Sequence, residues 1–403
     1  MKQTPYPVYK GQVLDVDITG YTSEGAGVAR VEGLAVFVTG AIRGEKVRIR
    51  IAHLGHTAAY GDIVDILTPS PERVKPACRH AGDCGGCVFW HMTYEEELRA
   101  KATRVTDALN RLGGFHLDTV PITGSPDALH YRNKAQFPVA MGKNGPVAGF
   151  FRQRTHQVGP IKTCRIQTQT ADKVRDTVVS WMKAHHISAY DEKTRKGLVR
   201  HIYVRSAFAT GEVLVCLIIN GDSVPFEADL VHNLLTNVDN ITSVMLNIHK
   251  KPGNSVLGDR FVTLYGPGYI EDVLCGLRFR LSPRSFYQVN RAQAEQLYDA
   301  AIRQAELTGN ETVLDLYCGT GTITLSLSRH AKQVIGVEII QQAIVDAKEN
   351  AARNEITNAE FFCADASMAA QKFAAEGIRP DVIVVDPPRK GLDEAVMDAM
   401  VQM

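Results

Sequence analysis

Three groups of residues in this 403-residue chain have the types and spacing that chemistry needs. The first is Val313-Leu-Asp-Leu-Tyr-Cys-Gly-Thr-Gly-Thr, an apolar strand that runs into a Gly-rich turn and then a helical stretch. Such a turn closes the carboxyl end of a strand in a doubly wound sheet, where bare backbone approaches a nucleotide-like ligand. Glu338 ends the next apolar strand, about 20 residues on, where an acidic side chain reaches both ribose hydroxyls. Asp365 follows the third strand, placed to accept from an adenine amino group; capping a helix is its competing use. The second group is Asp386-Pro387-Pro388-Arg389, at the end of a fourth strand. Two prolines stiffen that loop and restrict the residue before them. A buried carboxylate at Asp386 could bind an imide N–H, and Arg389 a phosphate. The third is Cys78, Cys84 and Cys87, with Cys164 far downstream. Four thiolates suit tetrahedral zinc or a [4Fe–4S] cluster. Paired Cys-x-x-Cys knuckles would favour zinc, and this arrangement of three plus one lacks them.

The Gly-x-Gly turn also fits a nicotinamide site. S-adenosylmethionine is favoured because Thr324 stands where a dinucleotide turn has its third glycine, and because dehydrogenases have no use for the Asp-Pro-Pro-Arg loop.

The elements that must position these groups are legible in the hydrophobic pattern. From about Gln293, helical stretches (Ala294–Leu307, Gln341–Asn354) alternate with short apolar strands at Thr312–Leu316, Gln333–Val337, Glu360–Cys363 and Val382–Val385, which predicts a parallel α/β sheet. Thr93 to Leu112 reads as a helix, with Thr93 and Glu96 as a capping box and Gly113-Gly114 as its stop. Residues 130–285 alternate strands and turns, with one helix over Thr170–His185, and read as an α+β domain. Val8–Ile18, Gly27–Val31, Leu34–Thr39 and Glu45–Ala52 are Val- and Ile-rich runs punctuated by glycine, the pattern of a small closed barrel. Thr68-Pro-Ser-Pro marks a linker.

Charge is unevenly placed. Residues 71–220 carry 22 basic against 13 acidic side chains, residues 221–403 carry 16 against 24, and the first 70 balance. A basic middle suits a polyanion-binding face. No stretch approaches the roughly 20 apolar residues of a membrane helix, and the first ten residues have no signal-peptide core, so a cytoplasmic protein without a membrane partner is expected.

Several of these segments resemble known families. Gly25-Ala-Gly-Val-Ala-Arg, Val36-Phe-Val-Thr-Gly-Ala and Gly44-Glu-Lys-Val resemble the TRAM domain, an OB-like RNA-binding barrel. Asp386-Pro-Pro-Arg-Lys-Gly, Ser282-Pro-Arg-Ser-Phe-Tyr-Gln-Val-Asn and Tyr131-Arg-Asn-Lys-Ala-Gln-Phe-Pro-Val resemble the RNA uracil-5-methyltransferase family, over essentially the whole chain. The resemblance implies three domains: a barrel over 1–68, a cluster-bearing middle over 69–285 and a Rossmann-like methyltransferase domain over 286–403. It implies that Gln288, Tyr317, Gly319 and Thr322 join Glu338, Asp365 and Asp386 around S-adenosylmethionine. It implies a [4Fe–4S] cluster on Cys78, Cys84, Cys87 and Cys164, Arg132 and Lys134 on the RNA side, and Asp386 beside the uracil.

The expected reaction is methyl transfer to carbon 5 of a uridine in 23S ribosomal RNA by a monomeric enzyme, with a transfer-RNA target or a non-catalytic RNA-binding role as rivals. Carbon 5 of uracil is a poor nucleophile until a thiolate adds to carbon 6. The family carries that thiol in a Ser-Cys-Asn-Pro motif after a fifth strand and the base on a later glutamate, and neither occurs before Met403. Cys216 and Cys275, read as strand residues, and Cys318 and Cys363 are expected to pack rather than react. An incomplete methyltransferase domain that binds the cofactor weakly and does not methylate is the expectation.

Overall fold

The computed structural model describes residues 6–403 and divides into two compact units, 6–128 with 150–161, and 129–149 with 162–403.

In the first unit, β1 (Val13–Asp17), β2 (Gly20–Tyr21), β3 (Gly27–Val31), β4 (Leu34–Val38), β5 (Lys46–Leu54) and β6 (Ala58–Thr68) form one sheet in the order β1-β5-β6-β4-β3-β2. All neighbours are antiparallel except β4 and β6. β1 also packs against β3, so the sheet curls on itself. Alternate residues point inward, and Val36, Val38, Val47, Ile49 and Ala59 are fully buried there, the period of a half-buried strand. After the cysteine segment comes α1 (Tyr94–Gly113). Thr93 caps it by accepting from the Glu96 N–H at 3.3 Å, and Gly114 ends it at φ 71°.

The second unit opens with β7 (Lys134–Gly142) and β8 (Gly145–Phe151); the chain then crosses to the first unit as β9 (Val158–Pro160) and returns as α2 (Gln169–Ala184). β10 (Val199–Ser206), β11 (Val213–Ile219), α3 (Glu227–Asn237), β12 (Ile241–Ile248) and β13 (Arg260–Tyr265) follow. The strands run β13-β12-β11-β10-β7-β8-β9, with β11 buried along its whole length. The sequence showed one helix here. α3 escaped notice because no side chain caps it: its entry residue, Phe226, is left-handed at φ 53°. A hairpin, β14 (Ile270–Leu274) and β15 (Leu277–Leu281), turns through Cys275 and Gly276 at φ 52° and 74°. Cys275 therefore sits in a tight turn, not in a strand as expected.

α4 (Arg291–Gln304) leads into β16 (Thr312–Asp315), α5 (Thr322–Ser328), β17 (Gln333–Glu338), α6 (Gln341–Arg353), β18 (Ala359–Cys363), α7 (Ala366–Ala375), β19 (Val382–Val384) and α8 (Glu394–Gln402). The four strands are parallel, in the order β18-β17-β16-β19, so the strand order reverses beside β16 and places a crevice at its carboxyl end. Val313, Leu314, Val334 and Val337 are wholly buried in the two central strands, whereas edge strand β19 is half-buried throughout. Among the described residues, no helix is long and apolar enough to cross a membrane.

Candidate functional site

The Gly-rich turn is tightly determined. The Cys318 N–H donates to the Val337 carbonyl at 2.9 Å and the Gly321 N–H to the Cys318 carbonyl at 2.9 Å. Gly319 (φ 54°) and Gly321 (φ 83°) are left-handed, a region glycine enters without strain. A Cβ on Gly321 would lie 3.2 Å from Ala347 Cβ and Phe361 Cζ. A Cβ on Gly319 would meet nothing within 4 Å. Glu338 reaches back to it: its carboxylate accepts from the Gly319 N–H at 3.2 Å and the Ile340 N–H at 3.0 Å.

Beneath the turn lies an acid that the motif reading passed over. Asp315 is fully buried and accepts from Thr324 Oγ1 at 2.6 Å and the Tyr317 N–H at 3.3 Å. Burial pushes its carboxyl up to about 6, with nearby Asp386 and Glu338 adding to the rise. An acid ending the first strand of the motif was the available signal. Thr322 turns its hydroxyl inward, 2.8 Å from Tyr298 Oη. Burial pushes the Tyr298 phenol up to about 12, and Asp386 and Asp315 act in the same direction. Asp386 thus sits within electrostatic reach of both Asp315 and Tyr298.

Sequence reading also missed what ties the turn to the segment carrying Gln288. Thr320 Oγ1 donates to the Phe286 carbonyl at 3.2 Å. The Thr320 carbonyl accepts from Nδ2 of Asn350 at 3.2 Å, and the Arg280 N–H donates to Oδ1 of the same side chain at 3.1 Å. Asn350 is fully buried, and a buried amide used at both ends costs more to disturb than an exposed one. Ser285 Oγ donates to Asp346 at 3.2 Å, and Asn133 Nδ2 donates to the Gln288 carbonyl at 2.8 Å. Gln288 itself is half-buried.

Asp386 is exposed, not buried as expected, because it follows the poorly covered edge strand β19. The loop closes when the Gly391 N–H donates to the Pro388 carbonyl at 2.8 Å, and leaves Arg389 exposed. Asp365 does cap α7, accepting from the Ser367 and Met368 N–H groups at 3.0 and 3.3 Å through Oδ1. Tyr317 is half-buried, and burial with Asp393 and Asp365 raises its phenol.

Arg132 and Lys134 are half-buried. Arg132 bridges the backbone at Gln167 and Asn290. Lys134 faces Arg205 directly across β7 and β10, a like-charge pairing that costs stability on its own. Burial, then Arg205 and Arg132, push the Lys134 amine down to about 8.

No disulfide involves any of the eight cysteines. Burial pushes the Cys318 and Cys216 thiols far up, which disfavours the thiolate and fits neither for nucleophilic attack. Cys363 is exposed, with Sγ 3.5 Å from the Ile339 carbonyl. In the cysteine segment, the Gly85 N–H donates to the Phe151 carbonyl at 2.9 Å, and the Gly86 N–H donates to Cys84 Sγ at 3.4 Å. Burial and Cys78 raise the Cys84 thiol. Among the described residues, no three His, Cys, Asp or Glu side chains come together to hold a metal ion. Cys78, Cys84 and Cys87 belong to the first unit and Cys164 to the second.

A Gly-rich turn at the carboxyl end of a central strand in a doubly wound sheet is the arrangement that binds nucleotide-like ligands. The tRNA (Uracil-5-)-methyltransferase family matches residues 93–403, and the TRAM domain family matches residues 7–64. The chain belongs to the RNA uracil-5-methyltransferase family, whose members use S-adenosylmethionine. An uncharacterized RNA methyltransferase of Clostridium tetani is 39% identical over 98% of this chain and 86% of its own length. One from Bacillus cereus is 40% identical over 100% of this chain and 87% of its own. Pyrococcus abyssi tRNA (uracil-54, C5)-methyltransferase, solved in complex with S-adenosyl-L-homocysteine, overlays with a TM-score of 0.76. That overlay covers 96% of this chain and 87% of that one at 23% identity, a likeness of fold.

Proposed function

We propose that this chain binds S-adenosylmethionine at the Gly319–Gly321 turn and serves methyl transfer to carbon 5 of a uridine in 23S ribosomal RNA. It does so in three parts, 1–68, 69–285 and 286–403, as a cytoplasmic monomer. The observation that carries the reading is the Asp386-Pro-Pro-Arg389 loop on the strand beside the turn, with Asp386 in electrostatic reach of Asp315 and Tyr298. Glu338 holds the ribose, Gln288 and the turn residues Tyr317, Gly319 and Thr322 enclose the methionine part, and Asp365 offers Oδ2 to the adenine. Thr322 contributes its backbone, since its hydroxyl faces Tyr298. The exposed Asp386 accepts the uracil imide N–H once the base is flipped into the crevice, because carbon 6 is unreachable in a stack. Arg132, Lys134 and Arg389 take RNA phosphates. The thiol that adds to carbon 6 is none of the eight present here.

The test is binding of S-adenosylhomocysteine together with 23S ribosomal RNA or transfer RNA, with adduct formation on 5-fluorouridine RNA as the check on the thiol. Cofactor binding with a preference for 23S ribosomal RNA supports the proposal. A preference for transfer RNA points to a transfer-RNA target, RNA binding without cofactor binding leaves a binding protein, and an adduct on either RNA would mean that one of the eight cysteines attacks after all. A [4Fe–4S] cluster on Cys78, Cys84, Cys87 and Cys164 stays part of the proposal on the strength of spacing and the Gly86 N–H to Cys84 contact. It requires the thiols to regroup, and no reaction step is assigned to it. Anaerobically purified protein without iron or brown absorbance would end that part.

A further inference from the structure

The outer face of the first unit's sheet carries three aromatic rings in a row across neighbouring strands. Phe37 on β4 is the register partner of Tyr60 on β6, and Tyr60 is the partner of His53 on β5. The Phe37 and Tyr60 centroids are 5.6 Å apart at 73°, and those of His53 and Tyr60 are 5.8 Å apart at 32°. Val36, Val38 and Ala59, next to Phe37 and Tyr60 in their strands, fill the core, so the strand period turns those two rings outward. His53 lies two residues beyond buried Ile51, and the register shift between them brings its ring to the outer face as well. Tyr60 is 36% exposed, His53 is exposed and Phe37 is half-buried. At Gly55, a Cβ would come 3.3 Å from Tyr60 Cε2, so glycine there lets the ring lie against bare backbone. Arg30 and Arg50 are exposed on the same face, and Asp62 is the acid opposite Arg50.

An apolar core does not need these rings, and water does not favour them. Flat, exposed rings with few rotatable bonds, beside guanidinium groups, have the chemistry that stacks unpaired bases while cations follow the phosphates. Duplex RNA hides its base faces and is read by shape, so it has no use for such a row. We propose that Phe37, Tyr60 and His53 form a stacking platform for the unpaired bases of an RNA strand. The proposal rests on the RNA reading above and adds which face of the barrel engages RNA and in what form.

The experiment compares the full chain with a Tyr60→Ala/His53→Ala double variant and with Tyr60→Phe, which keeps the ring. Affinities are measured for a labelled short oligouridylate, for a labelled RNA duplex and for S-adenosylhomocysteine. The double variant is expected to lose about tenfold or more for the oligouridylate and less than about twofold for the duplex, with Tyr60→Phe close to the unaltered chain. Unchanged melting temperature and cofactor affinity show that the fold is intact. An oligouridylate affinity unchanged in the double variant, an equal loss for the duplex, or no oligouridylate binding by the unaltered chain each overturns the proposal. Failure of S-adenosylhomocysteine binding in the unaltered chain would instead sink the methyltransferase reading and leave the RNA comparison standing.

Discussion

Around the Gly319–Gly321 turn, buried side chains and backbone groups hold one another: Asp315 with Thr324, Thr322 with Tyr298, Asn350 with Thr320, Glu338 with the Gly319 and Ile340 N–H groups. In the Cys78–Cys87 segment the bonds lie at the surface: the Cys84 N–H donates to the His80 carbonyl at 2.9 Å, the exposed Gly85 N–H to the Phe151 carbonyl at 2.9 Å, and the exposed Asp83 pairs with Arg152, while the three thiols are half-exposed. Both segments thread glycines between reactive residues. The difference teaches that glycine spacing marks where backbone can approach a ligand, while buried partners decide whether the geometry is already made before one arrives.

That contrast can be broken most severely at Gly321. Gly321→Ala adds a Cβ to a left-handed residue and presses it on Ala347 and Phe361. A stability loss on the order of 2–3 kcal/mol is expected in urea unfolding, with S-adenosylhomocysteine binding lost. An unchanged midpoint would show the turn to be less determined than it looks.

Asp315→Asn probes the same site through pH. The folded carboxyl is raised to about 6 from 3.8, so between roughly pH 4 and 6 the folded chain keeps a proton the unfolded chain has released. Stability contributed by the protonated form is present at low pH and declines as pH rises through that window, by on the order of 3 kcal/mol. The asparagine variant should lack this decline; identical pH profiles for the two proteins would refute it.

Thr320→Val keeps the shape and removes the hydroxyl that donates to the Phe286 carbonyl. Cofactor affinity should fall about tenfold, roughly the value of a buried hydrogen bond, with little change in melting temperature. A lower melting temperature at unchanged affinity would make Thr320 a purely structural residue.

The smallest effect is expected across the comparison. Cys84→Ser in the cysteine segment should change S-adenosylhomocysteine affinity by less than about twofold, because its contacts are local. A large loss would mean that the two regions are coupled.

Much of this was legible in the residues themselves. Thr93 and Gly114 announced α1 because a helix end must satisfy its own backbone groups nearby. The four strands around the Gly turn declared themselves by apolar runs, and the motif order carried the family. Helix α3 was hidden because it starts at a left-handed Phe226 with no cap. The exposure of Asp386 was hidden because it depends on which strand lies at the edge of the sheet.

The parallel sheet, the Gly-rich turn with an acid ending the next strand, the barrel and the family could be read from period, capping, glycine spacing and motif order. Packing decided that Asp315 is buried and shifted, that Asn350 and Thr320 lock the turn to the Gln288 segment, and that Phe37, Tyr60 and His53 share one face. Each of those facts joins residues far apart in the chain, and burial and contact at such separations are properties of packing that no local pattern records.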